Sequence, residues 1–167
     1  KLQSFAFMPI FGLNNGMIPI IAYNYGAKKE DRVIKALMIA AMYAEIIMVL
    51  FMVMVQIIPV PMLSLFNASP DMIKMGVPAL RIISISFIFA GICIICSSFF
   101  QALGSSVYSM LVSFVRQIVF LVPCAYIFSK TGNVNLVWWA WPIAEIASLS
   151  LSVFFFMRVK KKKFGYM

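Results

Sequence analysis

The chain has 167 residues, 63% of them hydrophobic and 11% charged, with a mean hydropathy of +1.00 and a formal net charge of +9. Soluble domains carry about 45–50% apolar and about 25% charged residues, so a water-soluble globule, which would expose large apolar patches, does not fit. The basic residues gather in two clusters, one between and one after apolar runs, which marks them as topology signals and sets nucleic-acid binding aside.

A hydrocarbon core about 30 Å thick takes about 20 helical residues to cross. Five stretches reach that length, near 4–24, 37–60, 79–103, 107–129 and 136–157. They are continuous apolar runs rather than alternating ones, which favours helices over barrel strands. The first contains Phe11-Gly12-Leu13-Asn14-Asn15-Gly16 between Pro9 and Pro19. Gly12 and Gly16 lie one turn apart, so a close approach to a neighbouring helix is expected there, with the prolines bending the span. Lys28, Lys29, Arg32 and Lys35 crowd the connection that follows.

The second stretch carries Glu45 on a stripe with Met48, Met52 and Gln56, and this acid reads as structural. Pro59, Pro61 and Asn67-Ala68-Ser69-Pro70-Asp71 then interrupt the apolar pattern. Ser69 followed by Pro70 predicts an N-cap with proline at the first helical position, hence a short helix ahead of the third span. Asn67-Ala68-Ser69 also matches a glycosylation acceptor, discounted because Pro70 follows it. Cys93 and Cys96 sit inside the third stretch around Ile94 and Ile95, where they read as small packing residues rather than redox or zinc ligands. Gly104-Ser105-Ser106 separates the third stretch from the fourth, and Lys130-Thr131-Gly132-Asn133 the fourth from the fifth.

The fifth opens on Trp138, Trp139 and Trp141 and ends at a basic tail, 158–167, holding Arg158, Lys160, Lys161, Lys162 and Lys163. Four spans lie between the two basic clusters, so both are expected on one side, which the positive-inside rule makes cytoplasmic. The tryptophans then fall in the outer aromatic belt. The implied location is a plasma membrane, crossed several times, with the C-terminus inside. The chain starts at Lys1 beside an apolar run without a signal-peptide pattern, so it is expected to be the C-terminal part of a longer polypeptide.

The chain has no histidine and no glycine-rich phosphate loop, which removes Ser-His-Asp, Cys-His and HExxH sites and leaves no expectation of an enzyme or a cofactor. Glu145 is the most informative group, because acids inside a span are costly and usually face a cavity or a partner. Helical spacing puts Trp138, Trp141, Ser148 and Ser152 on its face, and Pro142 is expected to free a carbonyl one turn earlier. Two readings stay open: a glutamate hydrogen-bonded to a neighbouring helix, or a cavity acid that binds a cationic substrate or coupling ion beside Trp141.

Taken in order, these pieces resemble a known family. Gly12-Leu13-Asn14-Asn15-Gly16-Met17-Ile18-Pro19, Tyr23-Asn24-Tyr25-Gly26-Ala27, Phe100-Gln101-Ala102-Leu103-Gly104, Arg116-Gln117 with Pro123, and Trp141-Pro142-Ile143-Ala144-Glu145 are similar to the multidrug and toxic compound extrusion (MATE) family. The resemblance implies an all-α integral membrane fold. The five spans would be helices eight to twelve of a twelve-helix carrier, most of its second six-helix lobe. It implies efflux of drugs or other amphipathic or cationic xenobiotics in exchange for protons or sodium, by alternating access. The partners would be the lipid bilayer, drug-like small molecules and the remaining N-terminal part of the same chain.

The family's ion-binding acids are not carried over, because the span 79–103 holds no acid. Candidate substrate- or ion-binding residues are Glu145, Trp141, Ser148, Gln101 and Asn15, with no metal ligands. Thirteen methionines and 15% aromatic residues suit an adaptable drug surface. The alternatives are a flippase for lipid-linked saccharides and a non-transporting scaffold. A flippase cavity would gather several cations, whereas only Arg116 lies inside a span, with Arg81 near an end.

Overall fold

The computed structural model describes residues 2–164, with the side chain of Leu2 left out of account. All regular structure among them is helical: α1 (Leu2–Gly26), α2 (Glu30–Ile57), α3 (Pro59–Ser64), α4 (Pro70–Ile85), α5 (Phe87–Ala102), α6 (Ser106–Phe114), a π-helical segment (Val115–Leu121), α7 (Val122–Ser129), α8 (Val134–Val137) and α9 (Ala140–Phe164). Four continuous stretches are long and apolar enough to cross a membrane: Gln3–Gly26, Glu30–Ile57, Ser106–Ser129 and Val134–Phe164. A fifth arises if α4 and α5, bent by 51° at their junction, count as one.

That bend is where sequence and structure part. Ser69 caps α4 as expected, its Oγ accepting from the Met72 N–H at 3.3 Å, with Pro70 at the helix start. The helix then runs unbroken to Ile85 through Pro78, so the short helix expected ahead of the third span is fused to it. The break falls at Ser86, whose Oγ donates to the Ile83 carbonyl at 2.6 Å. Gln56 of α2 donates to the Arg81 carbonyl at 2.8 Å and to Ser84 Oγ at 3.0 Å. Carbonyls loosened by the bend thus find partners without water, a necessity at membrane depth.

The centre of the bundle is α5, packed by α1, α2, α6 and α9. It carries no charged residue, and Ala90, Gly91, Cys93, Cys96 and Ser98 keep much of its surface small and buried. Small residues let backbones approach where lipid offers no hydrophobic drive. A Cβ built on Gly91 would stand 3.2 Å from Glu45 Oε2 and 3.2 Å from Met48 Cγ. A tight helix contact thus occurs at Gly91. Among the described residues, a Cβ on Gly12 or Gly16 would meet nothing within 4 Å, and both line an open groove between α1 and α2. Glycine spacing showed that an approach was possible there; the described part of the chain does not make it.

The outward faces are apolar and exposed, as on α2 at Met38, Met42, Ile46, Leu50 and Val53. Both basic clusters meet at one end of the bundle: Lys160 Nζ lies 3.9 Å from Glu30 Oε1, and the Tyr25 and Phe164 rings are 5.7 Å apart. α9 continues through the basic residues to Phe164, where Val159 and Phe164 are buried. Lys161, Lys162 and Lys163 in its last turn complement the helix dipole.

Candidate functional site: an ion pair between two polar cavities

The site begins with a backbone irregularity. Pro123 has no N–H, and in an ordinary α-helix its ring would collide with the carbonyl four residues back. Just before it the chain widens into the π-helical turn, in which Val122 N–H reaches back to the Gln117 carbonyl. Such bulges are frequent at functional positions. Arg116 sits inside this segment, roughly 15 Å along the helical unit that starts at Ser106, and so near mid-membrane depth.

There Arg116 Nη1 donates to Glu145 Oε1 of α9 at 2.8 Å, the Arg116 side chain keeping 35% of its exposure and the Glu145 side chain 9%. A lone charge at the centre of a bilayer costs about 2.5–3.5 kcal/mol by insertion scales. Pairing removes the net charge and explains how both groups are held at this depth. Glu145 Oε2 has no hydrogen-bond partner among the described residues.

Arg116 also separates two cavities. The larger, about 320 Å³, is a half-open space lined by α1, α5, α6, the π segment and α9. Its polar lining includes Asn14, Asn15, Ser97, Gln101, Arg116 and Ser148, with no carboxylate among the described residues. Gln101 Nε2 donates to Ser109 Oγ at 3.1 Å, tying α5 to α6 at the edge of this space. Asn14 Oδ1 and Ser148 Oγ are buried there, with no partner among the described residues. The smaller cavity, about 240 Å³, is lined by Gln3, Phe7, Arg116, Gln117, Trp141 and Glu145.

The five residues singled out from sequence thus divide. Asn15, Gln101 and Ser148 line the larger cavity, Trp141 and Glu145 the smaller. What joins the two sets is Arg116, which sequence reasoning passed over as a site residue. An arginine alone in an apolar span demands a counter-ion, so the signal was present. Spacing along one helix could not tell which acid, 29 residues away, would supply it.

The face drawn around Glu145 also changes. Ser148 and Ser152 are buried beside it in α9, but Trp138 lies in the turn before that helix. It reaches Trp141 ring to ring, with centroids 5.8 Å apart. Pro142 stands in the first turn of α9 and bends nothing, because Trp141 N–H and Ile143 N–H reach the Trp138 and Trp139 carbonyls at 3.3 Å each. Cys93 lines the larger cavity, and no group of metal-binding side chains occurs among the described residues.

Known proteins share this fold. The MatE family model matches residues 1–127. The chain belongs to the MATE family. The multidrug export protein MepA of Staphylococcus aureus is 29% identical over 147 residues, covering 87% of this chain and 32% of its own length. A ligand complex of the MATE multidrug transporter DinF-BH superposes with a TM-score of 0.86 at 31% identity, covering 98% of this chain and 36% of that one. The Vibrio cholerae MATE transporter VcmN in its bent form gives a TM-score of 0.88 at 18% identity, over 99% and 39%, which speaks to the fold alone. This MATE chain spans about a third of the length of the curated relatives it matches.

Proposed function

We propose that the chain works as most of the second lobe of a drug-efflux carrier, exporting amphipathic or cationic compounds in exchange for protons or sodium by alternating access. The observation that carries this reading is the 320 Å³ polar cavity at membrane depth, walled by α1, α5, α6 and α9 inside a shell of lipid-facing apolar side chains. A bundle built only to stand in lipid has no use for buried amides and hydroxyls that lack partners among the described residues, each of which costs about 1–3 kcal/mol. Family membership and the names of its relatives, a multidrug export protein and a multidrug transporter, favour export over the flippase and scaffold readings.

The ion pair narrows what Glu145 does in this conformation. Its charge is matched by Arg116, so a cationic drug or coupling ion would have to displace a guanidinium to use it. The cytoplasmic assignment of the basic end rests on the positive-inside rule. The test is efflux of ethidium from bacteria deprived of their own pumps and supplied with the full-length carrier. Export is expected, slowed by a proton uncoupler if protons drive it or by sodium removal if sodium does. A carrier that is folded and membrane-inserted but leaves ethidium accumulation unchanged would refute the proposal.

A further inference from the structure

We infer that Arg116, held by Glu145 from the side of the smaller cavity, is a docking point for the carboxylate of an amphiphilic substrate received in the larger cavity. The inference deepens the exporter reading and rests on it. A guanidinium has five N–H donors, and among the described residues Arg116 uses a single bond, to Glu145 Oε1 at 2.8 Å. The remaining donors belong to a side chain that lines a 320 Å³ space whose described lining holds no acid. An unmet planar fork of donors fits a carboxylate, which can accept two parallel bonds from it.

The rest of the lining agrees. Asn14 is 5% exposed and Ser148 1%; Asn14 Oδ1 has no partner among the described residues, Ser148 Oγ has only the Cys93 thiol beside it, and both residues line the same cavity. They can orient a ligand by hydrogen bonds without adding charge. The one cation of the described lining is Arg116, already paired with Glu145, so the site can take a single negative charge at most and does not suit a pyrophosphate. Phe11, Ile18, Ile94 and Val112 supply apolar walls for the body of the ligand, and the volume sits at the small end of the range for drug-sized sites, about 300–1,000 Å³.

Glu145 then has a role opposite in sign to that of a cation site. It holds Arg116 in place but repels an incoming carboxylate. Neutralising it should tighten binding of acids, whereas a glutamate that itself bound cationic drugs would lose affinity for them.

The experiment compares Nε-dansyl-lysine, a zwitterion with a free carboxylate, with its methyl ester, a cation of nearly equal shape. Dansyl fluorescence is titrated against the purified full-length carrier in detergent. For Arg116→Gln, the acid should bind at least about tenfold more weakly while the ester changes by less than about threefold, the loss expected for one charge-assisted bond. For Glu145→Gln, acid affinity should hold or rise. The double variant Arg116→Gln/Glu145→Gln, a neutral amide pair of similar shape, guards against misfolding and should discriminate against the acid as Arg116→Gln does. If wild type binds the ester but not the acid, or if Arg116→Gln weakens both equally in folded protein, the inference fails and the exporter reading stands. If neither probe binds and ethidium is not exported, the exporter reading itself has failed.

Discussion

Replacing both partners of the Arg116–Glu145 pair should damage the protein less than the two single replacements predict together. At 2.8 Å and an effective dielectric of about 20, two unit charges attract by about 6 kcal/mol. Desolvation takes back much of that gain, and removing one partner of a fully buried pair typically costs about 3–5 kcal/mol. Because Arg116 keeps 35% side-chain exposure, solvent screening lowers the expectation to a coupling of about 1–3 kcal/mol. The assay is a four-member cycle of wild type, Arg116→Leu, Glu145→Leu and the double variant, unfolded reversibly in mixed micelles. Each single variant strands a charge near mid-membrane, and the double variant strands none. Strictly additive losses would show that the two side chains do not pair in the working protein and would remove the basis of the site described above.

Gly91→Val should lower the unfolding midpoint by several degrees, because even a Cβ there meets Glu45 Oε2 and Met48 Cγ at 3.2 Å, whereas Gly16→Ala should be tolerated. A circular-dichroism melt of both variants distinguishes the two positions. Gln56→Leu should cost about 0.5–1.5 kcal/mol, measured by the same micellar unfolding, since it removes one of the two side-chain donors to the Arg81 carbonyl at the bend between α4 and α5 and leaves Ser84 Oγ as the other. Cysteines placed at Lys29 and at Lys161 should respond alike to an impermeant thiol reagent in intact cells, because their helix ends meet at one end of the bundle, and both should resist it if the positive-inside rule holds; labelling of one alone would break that topology.

Helix class and the main breaks were legible because they follow from local chemistry. Long apolar runs, the Ser69-Pro70 cap and the Gly104 turn announce themselves within a few residues. Features that depend on which helix stands opposite were not. Gly12 and Gly16 have the right spacing for a close approach, yet among the described residues Gly91, which has no glycine one turn away, makes one, because α5 is the helix that the others surround. Pro142, expected to free a carbonyl one turn earlier, proves to be a helix-start proline, since helical periodicity does not reveal that a new helix begins at Ala140. Asn15, Gln101, Ser148, Trp141 and Glu145 were visible as polar or aromatic exceptions in apolar spans. Their grouping around Arg116 needed the π-helical turn that Pro123 provokes, a distortion with no periodic signature.

The central claim, that the larger cavity receives substrate, is tested most directly by protection from labelling. Ser97 lines that cavity on α5. In a full-length carrier with Cys93, Cys96 and Cys124 replaced by serine, Ser97→Cys should react with a small thiol reagent, and saturating ethidium should slow that reaction at least about threefold. A Val53→Cys control on the lipid-facing side of α2 should be indifferent to the dye. Labelling of Ser97→Cys at the same rate with and without substrate, in protein shown to bind ethidium, would contradict the account.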